Sequence, residues 1–140
     1  MLSQEDLKAY NIELSYGEPL SNHCTYRIGG PAKYFAKVDD FDSLSALIKI
    51  ANEKNIKWFI LGSGTNLLIC DRGFDGLVIK LDGDFNRIEF NDHCVSGAGV
   101  LLAKLFDEFK TNFYKGMEFA AGIPGTVGGA VKMNAGRKEE

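Results

Sequence analysis

Gly62-Ser63-Gly64-Thr65-Asn66, a stretch with very little side chain, follows directly on the apolar run Trp58-Phe59-Ile60-Leu61. Glycines at alternate positions let a backbone take positive φ and approach a ligand with no Cβ in the way. Successive N–H groups in such a turn form a concave nest for phosphate oxygens, and Ser63, Thr65 and Asn66 add short donors. The same residue types also build ordinary turns, so taken alone the stretch supports either reading. Two familiar phosphate loops are ruled out. A P-loop needs G-x-x-x-x-G-K-[ST], and no lysine lies in residues 60–69. A Rossmann turn needs a third glycine opening a helix, whereas Leu67-Leu68-Ile69 reads as strand. Cleaving a phosphate requires charge aimed at the transition state, so a loop without Lys or Arg favours holding over cutting.

A second cluster, GMEFAAGIPGTVGGAVKMNAG at residues 116–136, sets Gly116, Gly122, Gly125, Gly128, Gly129 and Gly136 among small apolar residues. It is too apolar for a flexible linker. Close-packed backbone explains its small side chains; Ile123-Pro124-Gly125-Thr126 further predicts a short helical turn with free N–H groups facing outward. A flat ring or a phosphate fits against such a wall. The third cluster is Thr25-Tyr26-Arg27-Ile28-Gly29-Gly30-Pro31-Ala32, in which Arg27 serves either a surface acid or an anionic ligand.

His23-Cys24 and His93-Cys94 suggest metal ligands, but strand neighbours point to opposite faces and no C-x-x-C or H-x-x-x-H spacing is present. No metal is expected. Cys24, Cys70 and Cys94 are odd in number and widely spaced, which fits a reducing compartment. The chain has 140 residues, 45% hydrophobic and 25% charged, with a net charge of −3. That balance offers no basic field for nucleic acid or an anionic membrane. No apolar run approaches the roughly 20 residues that span a bilayer. A cytoplasmic protein without nucleic-acid or membrane partners is expected.

The elements that must position these clusters follow from periodicity. Ser3 caps a short helix ending near Tyr10, and residues 15–32 read as an extended, loop-rich passage. Residues 33–38 read as a strand, residues 40–55 as an amphipathic helix built on Phe41, Leu44, Leu47, Ile48 and Ala51, and residues 57–61 as a strand parallel to the first. Residues 67–70 and 77–81 are strand-like, residues 86–90 and 93–97 flank an Asn91-Asp92 hairpin, and residues 100–112 form a second amphipathic helix. The fold class is α/β (α+β): a small βαβ lobe over about residues 1–72, then a mainly antiparallel lobe with packed helices over about 73–140.

TYRIGGPAKYF, ILGSGTNLLICDRGFDGLVIKL and EFAAGIPGTVGGAVKMNAG, in this order and spacing, resemble the UDP-N-acetylenolpyruvoylglucosamine reductase family across residues 22–136. The resemblance implies a two-lobed FAD-binding domain of the vanillyl-alcohol-oxidase (PCMH) type with the flavin between its lobes. It assigns Gly62, Ser63, Gly64, Thr65 and Asn66 to the FAD pyrophosphate, with Leu61 and Leu67 also among the cofactor-binding residues. It places Ala121, Gly122, Pro124, Gly125, Thr126, Gly128, Gly129 and Ala130 along the flavin and its ribityl-phosphate arm. Tyr26, Arg27 and Ile28 join the same cleft, and Asn134 lies near the ring. The implied reaction uses NADPH, through FAD, to reduce a UDP-sugar enolpyruvate to UDP-N-acetylmuramate for the cell wall.

The family's arginine in a Y-R-x-S-type motif, its proton-donating serine or cysteine and its glutamate have no counterpart here. No catalytic residue is therefore assigned, and the chain reads as an amino-terminal, inactive fragment lacking the substrate domain. Arg137-Lys138-Glu139-Glu140 departs from the family's N-A-G-A-Y-G and reads as a solvated surface run. Rival readings are another flavin oxidoreductase of the same domain type, a nucleotide-binding module without chemistry, and a purely structural α/β domain.

Overall fold

The computed structural model describes residues 1–136; the run Arg137-Lys138-Glu139-Glu140 lies outside the described residues. A mixed sheet of order β1-β2-β4-β3 forms its centre, from β1 (Leu14–Pro19), β2 (Pro31–Val38), β3 (Trp58–Leu61) and β4 (Phe74–Leu81). β1 runs antiparallel to β2, and both β2 and β3 run parallel to β4. The strands of the expected βαβ unit are thus parallel but not adjacent, because β4 inserts between them.

Alternation along the strands gives this sheet two buried faces. Tyr34, Ala36, Val38, Leu77 and Ile79 point to one, where Leu2 and Leu7 at the amino terminus and Leu44, Leu47 and Ala51 of α2 (Phe41–Glu53) cover them. Ala32, Phe35, Leu61 and Val78 point to the other, packed with Leu20, Phe59, Ile69 and Phe74. The amino-terminal helix is shorter than expected, α1 (Gln4–Leu7) followed by one 3-10 turn. Asp40 caps α2 by accepting from the Ser43 N–H at 2.7 Å.

Two sequence expectations are corrected. Residues 15–19 belong to strand β1, whose edge position tolerates Gly17 and Pro19. Residues 67–70 are loop rather than strand, since β4 takes the central place beside β3. β4 continues the first sheet past residues 71–76. After it come the hairpin β5 (Ile88–Phe90) and β6 (Cys94–Ser96), α3 (Leu102–Thr111) and α4 (Val127–Met133). Phe90, Phe109 and Tyr114 pack together between the hairpin and α3, Phe90 edge-on to Phe109 and Tyr114 tilted against both.

Candidate functional site

Residues 62–66 leave the carboxyl end of β3 and are wedged between two other segments. On one side the Thr25 N–H donates to the Gly64 carbonyl at 3.1 Å. On the other, the Thr65 hydroxyl donates to the Pro124 carbonyl at 3.3 Å. All three glycine-bearing clusters therefore meet at this loop.

The glycines are bare first of all because protein neighbours press on them. Gly64 has φ +67°, and a Cβ there would lie 2.6 Å from the Cys24 Cα. A Cβ on Gly62 would lie 2.7 Å from the Thr126 Oγ1. What the loop leaves open is its N–H groups: among the described residues, the amides of Ser63, Gly64, Thr65 and Asn66 donate no hydrogen bond. Buried or half-buried backbone donors are normally paired, so the unpaired amides of half-buried Ser63 and Thr65 and buried Gly64 leave room for an acceptor, with the exposed Asn66 amide beside them. A pyrophosphate supplies such acceptors, and the loop fits one.

The second segment behaves differently from expectation. No helical turn forms at residues 123–126; Thr126 is instead the N-cap of α4, its hydroxyl accepting from the Gly129 N–H at 3.2 Å. The Val127 N–H donates to the Val100 carbonyl and the Gly128 N–H to the Ala98 carbonyl, each at 2.8 Å. The amides at the start of α4 are thereby spent on the protein, and Gly128 packs its Cα face against Ala98. What remains exposed is a small-residue wall of Ala121, Gly122, Pro124 and Gly129, with Ala130 half-buried. Gly122 (φ +79°) has open space where a Cβ would go. A flat ring suits this wall better than a phosphate does.

Tyr26, Arg27 and Ile28 are exposed beside Gly64, with Arg27 in the left-handed region at φ 52°. The buried Cys24 thiol ties down this loop by donating to the Ile28 carbonyl at 3.2 Å. Arg27 makes no ion pair among the described residues. Leu61 is buried, and Leu67 is exposed at the loop's far edge. Asn134 closes α4 in the left-handed region at φ 47°, roughly 12 Å along the axis from Thr126 at 1.5 Å per residue. The histidine beside Cys24 has a structural partner set: His23 bonds Glu18 at 2.8 Å and stacks on Phe35.

One residue that reaches this loop was not legible in the motifs. Lys80 of β4 stands opposite Leu61, and its ammonium donates to the Gly62 carbonyl at 2.7 Å. The loop has no lysine of its own, but one reaches it from eighteen positions away. Burial, and then the charge of Lys37 on the adjacent strand, push the Lys80 pKa below its ordinary value, against a smaller opposing pull from Asp82.

Free amides at the carboxyl end of a sheet strand, faced by a bare apolar wall, fit a flavin- or nucleotide-binding domain. The chain belongs to the FAD binding domain family, whose model matches residues 32–139. Within it, the chain is similar to UDP-N-acetylenolpyruvoylglucosamine reductases. It is 42% identical to that of Alkaliphilus oremlandii over 120 residues, covering 85% of this chain and 40% of the relative. It is also 42% identical to that of Halalkalibacterium halodurans over 134 residues, covering 94% of this chain and 44% of the relative. The crystal structure of the Thermus caldophilus reductase superposes with a TM-score of 0.73 at 37% identity, covering 91% of this chain and 44% of that one. A BBE-like protein of Physcomitrella patens shares the fold alone, with a TM-score of 0.57 at 16% identity over 77% of this chain and 26% of its own. The resemblance read from the sequence is borne out, and so is the α/β fold of the vanillyl-alcohol-oxidase (PCMH) type. The chain spans less than half the length of these curated relatives.

Proposed function

We propose that this chain is the FAD-binding portion of a reductase that converts a UDP-N-acetylglucosamine enolpyruvate to UDP-N-acetylmuramate with NADPH, in peptidoglycan synthesis. The observation that carries the reading is the run of unpaired amides at Ser63, Gly64, Thr65 and Asn66, wedged between the two other motif segments. Hydride transfer from NADPH to the enolpyruvyl double bond is the chemistry that bound FAD supplies. The chain's own residues hold and orient the cofactor. Residues 63–66 offer N–H donors to the pyrophosphate. Ala121, Gly122, Pro124, Gly129 and Ala130 give the ring a surface with no bulky side chain in its path. Thr126 fixes that wall by capping α4, and Gly125 and Gly128 let it close on residues 65 and 98. Tyr26, Arg27 and Ile28 border the pyrophosphate end, and Asn134 stands at the wall's far end.

No acid to protonate the substrate is assigned among the described residues, and on this reading the isolated chain does not turn over. The polar substrate and the unpaired cysteines Cys24, Cys70 and Cys94 fit a cytoplasmic setting. Among the described residues, no helix is long and apolar enough to cross a membrane.

The test is a titration of the 140-residue chain with FAD, followed by flavin fluorescence, then an assay of NADPH oxidation with the enolpyruvyl nucleotide. Saturable 1:1 binding without turnover is expected. A folded chain that ignores FAD overturns the cofactor reading, and substrate-dependent turnover overturns the inactivity of the piece.

A further inference from the structure

We propose that Lys80 is a positioning residue of the phosphate loop: its ammonium holds the Gly62–Ser63 peptide so that the Ser63 N–H faces the pyrophosphate, with a positive charge set behind it. The inference rests on the reading of residues 62–66 as the FAD phosphate site.

The geometry is that of a single peptide unit. Lys80 donates to the Gly62 carbonyl oxygen at 2.7 Å, and no peptide bond among the described residues is cis. In a planar trans peptide the C=O and the following N–H point in opposite directions. A cation on the oxygen side therefore turns the Ser63 N–H away from β4. That N–H finds no acceptor among the described residues. A charge at the carbonyl end also polarises the peptide, which strengthens the N–H as a donor.

The setting of Lys80 argues that more than loop anchoring is at stake. Its side chain follows Val78 onto the sheet face that carries Phe35 and Leu61, and Lys37 of β2 stands beside it in register. Neither lysine makes an ion pair among the described residues. Half-burying an ammonium next to a second one is unfavourable unless an anion is near. The depressed pKa of Lys80 has those two causes in that order, burial and then Lys37; the Asp82 carboxylate opposes them by less and spends its Oδ1 on the Gly83 N–H and the Asn86 amide. A backbone carbonyl would be satisfied as well by a neutral donor. A dianionic pyrophosphate accounts for the charge.

The experiment compares FAD with riboflavin, which has the ring and ribityl arm but no phosphate. Both are titrated against the 140-residue chain and its Lys80→Met, Lys80→Gln and Lys80→Arg variants, with thermal unfolding of each ligand-free protein alongside. Losing a charge-assisted interaction predicts that Lys80→Met weakens FAD on the order of tenfold or more and leaves riboflavin unchanged. Lys80→Gln keeps a donor for the Gly62 oxygen without the charge, and its FAD affinity falls between those of Lys80→Met and the wild type. Lys80→Arg recovers most of the loss, and the salt dependence of FAD binding flattens in the neutral variants. Equal losses for both ligands, or an unchanged FAD affinity, overturn the assignment and leave Lys80 a structural prop. A folded wild type that binds neither flavin overturns the cofactor reading, and the Lys80 assignment falls with it. If Lys80→Met does not unfold cooperatively, the Gln and Arg variants carry the same comparison.

Discussion

Gly64 and Gly122 both take positive φ, yet different surroundings hold them there. At Gly64 a Cβ would drive into the His23–Cys24 backbone, whereas at Gly122 it would meet open space. Gly64→Ala therefore combines conformational strain with a backbone clash and should cost at least about 2 kcal/mol. Gly122→Ala carries the strain alone, about 1 kcal/mol. Chemical denaturation of the two variants checks the order. If the wall at residues 121–130 faces the ring, Gly122→Ala also weakens riboflavin binding, which a surface turn would not. A charged residue gives a second test. Asp6 accepts from the Ser3 N–H at 2.8 Å and pairs with Lys54 at 2.9 Å, which holds its pKa at about 2, with Lys54 the larger cause. A lowered folded pKa stabilises above the unfolded value near 3.8 and stops doing so as pH falls through the folded one. Asp6→Asn should thus lower Tm at pH 7, and thermal scans should show the gap closing between about pH 4 and pH 2.

At the scale of elements, α4 depends on one side chain. Thr126 is buried, caps the helix through Gly129 and packs its hydroxyl against Gly62. Thr126→Ala should cost about 1–2 kcal/mol in chemical denaturation, with Thr126→Ser recovering the part due to the cap. In the sequence this position read as the end of a helical turn at residues 123–126 and as a cofactor neighbour, not as a helix cap. Elements with a strong internal period were readable: α2 shows its buried Leu44, Leu47 and Ala51 at helical spacing, and β3 ends where the glycines begin. Pairing was not readable. Leu67-Leu68-Ile69 is as apolar as a strand, but the place beside β3 goes to β4, and nothing local to either segment decides between them. β1 hid behind Gly17 and Pro19, which signal a turn in the interior of a sheet and are tolerated at its edge. The site followed the same rule. The three motif segments were legible because their composition is unusual. Lys80 was not, because one lysine in an apolar strand has no local mark and its partner carbonyl is distant in sequence. The amides of α4 misled for a related reason: their acceptors, Val100 and Ala98, come from a different segment.

Across the whole molecule, the packing is lopsided. Both hydrophobic clusters of buried residues draw on positions 2–79. Beyond the first sheet the buried apolar side chains among the described residues are few, namely Val100, Leu102, Leu105 and Ala120. Leu68, Phe113 and Val131 meanwhile stand 80%, 93% and 77% exposed. Local stability follows buried apolar contact, so the hairpin and α3–α4 should open well below the free energy of the sheet. Hydrogen exchange of the ligand-free chain should show β2 and β4 protected longest and α4 exchanging early. Both sides of the proposed cofactor site belong to different parts of this uneven structure, the amides of residues 63–66 beside the sheet and the wall at 121–130 beside α4. A ligand that bridges them binds only when both are formed, and it stabilises the weaker part by mass action. At one hundred times its Kd, FAD would add about 2.7 kcal/mol, or roughly 10 °C in Tm for a domain of this size. The gain in protection should concentrate in α4 and residues 97–102 rather than in β2 and β4. A Tm that rises without that redistribution would place FAD on the sheet side alone, and the wall would lose its role.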